Sequence, residues 1–120
     1  MISNWTFDEV DKRIAAEFED FLPDDLFDAH AHLYQLKDLK KMGPVLTEGP
    51  EVAGVDVWRG NLGKMVGAER LKGGLFFGFP DADCDIEGAN NFLIEQLEQA
   101  PQSRGLLLIS PQTPVDKIKK

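Results

Sequence analysis

His30 and His32 are the only histidines of the chain, and they stand two residues apart in the segment Leu26–Leu33, LFDAHAHL. On an extended strand that spacing projects both imidazoles from one side, about 6–7 Å apart along the backbone, so that they can converge on one ion. Imidazole is a ligand for zinc, iron, manganese and nickel. It binds as the neutral form, so affinity is expected to fall as the pH drops through the histidine range. Asp28 falls on the same face by strict alternation and is the candidate to orient a ligand or bind a water. The spacing alone leaves open a plainer use of the pair as polar side chains at a strand end.

The elements that must position the pair follow from periodicity. Phe7, Val10, Ile14, Phe18 and Phe21 repeat at helical spacing. They predict an amphipathic helix over Thr6 to Phe21 with a Thr6/Glu9 capping box, ended by Pro23. LFDAHAHL is the first strand. Tyr34 to about Val52 reads as a long inserted loop, with KDLKK as a short helix before Gly43 and Pro44. Val52 to Leu71 predicts a helix closed by Gly73 and Gly74. LFFGF, Leu75 to Phe79, predicts a strand buried on both faces. Asp83 or Asp85 caps a helix whose Ile86, Ala89, Leu93, Leu97 and Ala100 share a face until Pro101. Gly105 to Ile109 predicts another fully buried strand, and a last helix starts near Thr113 with Pro114 at its first position.

Strand–helix alternation of this kind predicts an α/β fold with a parallel sheet. With the strand in place, LFDAHAHL resembles the first-strand signature of the amidohydrolase superfamily, in its amidohydrolase-related, decarboxylase-like branch. GLFFGFP and SRGLLLISP are similar to the second and third barrel strands of such proteins. The resemblance covers roughly Phe21 to Lys120, and only the His-x-His is sharply specific. It implies the N-terminal part, about three βα units, of a TIM-type (β/α)8 barrel, incomplete at 120 residues against the roughly 250 of a whole one. Residues 1–23 would then be an N-terminal helix and 24–120 a partial barrel domain truncated in its third helix. It also implies that His30 and His32 hold a divalent metal, zinc being the first choice. The implied chemistry is a metal-activated water attacking a carbonyl-type small-molecule substrate, or a related decarboxylation, with further ligands from later strands. As a fragment the chain is expected to be inactive alone.

Two other readings stand beside it. A metal-dependent phosphoesterase also begins with His-x-His on a first strand. A non-catalytic α/β interaction domain would self-associate as a homo-oligomer through its open sheet edges. Composition narrows the partners further. Thirteen Lys and Arg against 21 Asp and Glu give a net charge of −8, which argues against nucleic acid. No apolar run approaches the roughly 18 residues of a membrane span, and the start, MISNWTFDEVDKR, lacks a signal-peptide pattern, so the expectation is a cytoplasmic protein without a membrane partner. Cys84, flanked by Asp83 and Asp85, lacks the cationic surroundings of a reactive thiolate. Asp81, Asp83 and Ser110 sit after strands, but as turn and cap residues they are not taken as catalytic. Trp58 is expected in the core and Arg59 in solvent.

Overall fold

Helix α1 forms where the apolar spacing places it, but it runs Glu9–Phe18 and its N-cap is Asp8 rather than Thr6. The Asp8 carboxylate accepts the N–H groups of Val10 and Asp11, and the Asp11 carboxylate returns to the Asp8 N–H. A charged acceptor at the positive end of a helix outcompetes a hydroxyl two residues earlier. The computed structural model describes residues 5–119. Arg70 ties α1 to the body of the domain by bonding both carboxylate oxygens of Glu19.

Strand β1 spans Leu26–His32. The stretch read as a long loop is more ordered than expected. Tyr34–Gln35 (β2) pairs antiparallel with Val52–Ala53 (β3), a single helical turn covers Leu36–Asp38, and α2 covers Pro44–Glu48. The turn overlaps only the start of KDLKK. Helix α3 is Val55–Val66, shorter than Val52 to Leu71, and it ends at Gly67, whose φ of +90° suits glycine. Gly73 and Gly74 are not its terminus. They lie inside strand β4, Leu71–Phe77, which starts four residues before the expected Leu75. A β-carbon on Gly73 would come within 2.8 Å of the Gln102 carbonyl oxygen, so close approach of neighbouring backbone, not a turn, requires the glycine.

Helix α4, Ile86–Glu98, is capped by Asp85, which accepts the Gly88 N–H; Asp83 instead occupies a left-handed position at φ 64°. Strand β5 is only Arg104–Leu106. It is an edge strand, and Leu106 and Ile109 are 54% and 61% exposed, which corrects the fully buried reading of Gly105 to Ile109. Helix α5 is Val115–Ile118, with Pro114 as its N-cap, while the Thr113 hydroxyl accepts the Ser110 N–H rather than capping the helix.

Strands β1, β4 and β5 make a parallel sheet in the order β1-β4-β5, so the fold is α/β. Helices α3 and α4 cover one face. Trp58, Leu62 and Val66 from α3 and Phe92, Leu93 and Leu97 from α4 close over Leu26, Ala31, Leu33, Leu71 and Phe76. Phe76 points into that core with its ring 4.9 Å from Trp58. Successive strand residues point to opposite faces, so Phe77 and its cross-strand neighbours His32 and Leu106 point to the other face, which no described helix covers. The Cα radius of gyration of 15.8 Å exceeds the roughly 14 Å of a spherical domain of this length, as a one-sided sheet requires.

A second apolar cluster, Tyr34, Leu39, Leu46 and Ala53 with Val57, Phe79 and Cys84 around it, fills the space beside the small β2-β3 ladder. Asp38 is 4% exposed next to this cluster, and its Oδ2 has no hydrogen-bond partner. Burial pushes its carboxyl above the ordinary carboxylate value, with the nearby Asp85 adding to the effect and Lys37 opposing it. A carboxyl whose folded pKa is raised binds protons more tightly when folded, so stability falls as pH rises through the window from the unfolded to the folded pKa. Asp38→Asn removes that loss. It is expected to raise Tm at pH 7, with the difference shrinking as the pH falls to where the native carboxyl is protonated in both states. Thermal melts of both proteins across that range check it, and a variant less stable than the native protein at pH 7 contradicts it.

Candidate metal centre

His30 and His32 lie at the C-terminal end of β1, the end of a parallel sheet outside which ligands bind. Their Nε2 atoms stand 3.2 Å apart. The His32 Nδ1 lies 3.1 Å from the Gly78 carbonyl oxygen. A carbonyl only accepts, so Nδ1 carries the proton, and the Nε2 of a neutral His32 is left to accept the Nε2–H of His30 across the 3.2 Å between them. With Zn–N bonds of about 2.05 Å, two nitrogens 3.2 Å apart subtend about 103° at the ion, close to a tetrahedral angle. The two nitrogens are thus close enough to serve one ion once the proton between them is lost.

Phe77 holds the pair from below. Its ring centroid is 4.6 Å from that of His30 and 4.7 Å from that of His32, edge-on to both. Phe79 closes the flank of His32 at 5.2 Å. The aromatic wall restricts both imidazole rotamers and lowers the local dielectric. His30 itself is exposed, so the pair is reachable from solvent.

Asp28 is not on the face strict alternation assigns to it. Between Asp28 and Ala31 the strand carries one more residue than β4 carries between Gly74 and Phe76. This bulge reverses the parity of the strand, so that Asp28 shares its side with Ala31 and Leu33. Its Oδ2 accepts the Trp58 indole N–H at 2.8 Å, and its Oδ1 accepts the His30 backbone N–H at 3.0 Å. Asp28 thus touches neither imidazole. It fastens the bulge that aims His30 outward, and it links that bulge to α3. Trp58 is in the core as expected, but Arg59 is only partly exposed, stacked 5.6 Å from the Trp58 ring and bonded to the Leu71 carbonyl.

Asp81, Asp83 and Ser110 do meet, with Cys84, in a cleft of about 410 Å³ beside the ends of β4 and β5. Neither histidine lines it. Asp81 accepts the N–H groups of Lys40 and Lys41, which hold its carboxyl below the ordinary carboxylate range. That bonding makes Asp81 the clamp of the preceding loop. Among the described residues no group of three or more His, Cys, Asp or Glu converges as a metal cage, and no helix is long and apolar enough to cross a membrane. Compared with protein-family models, with curated proteins and with solved structures, the chain matches none of them.

Proposed function

We propose that this chain contributes the opening βα units of a metal-dependent hydrolase barrel of amidohydrolase type, in which His30 and His32 hold a divalent cation, zinc first. The observation that carries the proposal is the pair of Nε2 atoms 3.2 Å apart with the His32 Nδ1–H committed to Gly78. An arrangement of parallel strands with helices on one side and the histidines on the other is what inner barrel strands require. When bound, a divalent ion supplies Lewis acidity for hydrolysis, or a related decarboxylation, of a carbonyl-type substrate.

The residues of this chain have defined tasks in that scheme. His30 and His32 would each offer a neutral Nε2 to the ion once the proton shared between them has left. Gly78 fixes the tautomer of His32, Phe77 and Phe79 exclude water from one side of the site, and the Trp58–Asp28 pair sets the direction of His30. Titration of the protein with cobalt(II) tests the reading. The expected result is visible absorption of a nitrogen-coordinated ion, abolished by excess zinc. Absence of those bands, with no zinc retained after gel filtration, removes the reading.

A further inference from the structure

We propose that one zinc ion joins two copies of this chain face to face, each copy supplying His30 and His32 to a four-histidine tetrahedral site. The proposal rests on the metal-binding reading of the histidine pair alone, and it gives to a second copy of the chain the place on this sheet face that the barrel reading gives to later strands. Three observations lead there.

The first is the half-filled coordination sphere. Two nitrogens 3.2 Å apart, relieved of the proton between them, can supply two of the four ligands of an ion, and the described residues bring no third His, Cys, Asp or Glu to them. Zinc in a protein takes four ligands when its site is closed. A two-fold axis through the ion repeats the pair and completes the sphere with no further residue type, in the isologous geometry that most homodimers use.

The second is the surface around the pair. The histidines stand on the sheet face opposite α3 and α4, beside Phe77, and that face also carries Phe27 and Leu106, each 54% exposed. Covering it removes apolar area from water. Stacked sheets pack about 10 Å apart, and an imidazole with a Zn–N bond of about 2 Å on each side spans that gap.

The third is charge. Each copy carries −8, so two copies repel at long range. The bulge turns the Asp28 carboxylate away from this face and under Trp58, so its charge does not meet that of the second copy across a divalent cation on the axis. Association should therefore depend on the metal. In the joined state all four positions are filled by protein, so the open position that hydrolysis needs is closed and the pair of copies is catalytically silent.

Sedimentation velocity of the full chain in EDTA, then with zinc chloride added stepwise, tests the proposal. The expected result is a 13.4 kDa monomer in EDTA that doubles in mass, with saturation at one zinc per two chains. His30→Ala and His32→Ala are each expected to stay monomeric at that zinc concentration while keeping the native far-UV circular dichroism, and Leu106→Asp to weaken the dimer about tenfold or more while zinc is still bound. A monomer that binds one zinc per chain overturns the bridged dimer and leaves the hydrolase reading standing. A chain that binds no zinc overturns both. A dimer of equal strength in EDTA overturns the bridge.

Discussion

Trp58→Ala is expected to bring the domain to the edge of unfolding. The indole is 8% exposed, packs edge-on against Phe76, which is fully buried, and gives its N–H to Asp28. Deleting a buried aromatic side chain costs about 3–5 kcal/mol, because the surrounding core only partly closes the cavity. The half-buried Asp28 carboxylate loses one of its two donors as well, keeping the His30 N–H, at a further cost of about 1 kcal/mol. Against a total of about 5–15 kcal/mol for a domain, little stability is left. Trp58→Phe separates the two contributions, since it keeps a ring against Phe76 and removes only the N–H. It is expected to cost about 1–3 kcal/mol and to weaken metal binding, because the bulge that aims His30 loses its anchor. Urea unfolding and a zinc competition assay on both variants check this. A Trp58→Ala midpoint indistinguishable from that of the native protein would refute the account of the core.

Replacing both His30 and His32 with alanine is expected to abolish zinc binding with little loss of fold. A structural zinc site is worth about 10–16 kcal/mol over four ligands, or about 3 per ligand, so each imidazole removed weakens binding by roughly 100-fold. The fold tolerates the change because His30 is exposed and both rings lie outside the helix-covered core. The bond from His32 to Gly78, the bond between the two imidazoles and their edge-on contacts with Phe77 are lost, about 1–2 kcal/mol in all at a largely exposed site. Chelator competition with a zinc indicator, alongside a thermal melt, measures both effects. Equal zinc stoichiometry in the native and double-alanine proteins would show that the ion sits elsewhere.

Much of the fold was legible from patterns of 3.6 and 2. Helix α4 lies where Ile86, Ala89, Leu93 and Leu97 recur, Asp85 caps it as one of the two carboxylates expected to, and β1 covers the segment that carries the histidines. These elements are amphipathic, or flanked by strong stop signals such as Pro23, so local physics settles them. Glycine misled at Gly73 and Gly74. A glycine pair after an apolar helix reads as a terminus. Here Gly73 permits contact with the Gln102 backbone, and the Gly74 N–H reaches the buried Ser103 hydroxyl at 3.0 Å, a partner 29 residues away. The β2-β3 ladder was missed because each strand is two residues long, too short for any period to register.

The sequence by itself determined the order of α1, β1, α3, β4, α4 and β5, and the identity and spacing of the two histidines, because these depend on neighbours within a few residues. Tertiary structure decided which way the polar groups face. One extra residue in β1 relative to β4 sends Asp28 under Trp58 while His30 and His32 turn together to the uncovered face. Strand parity counted along the chain is blind to such a bulge, because a bulge is a property of two strands in register and not of one.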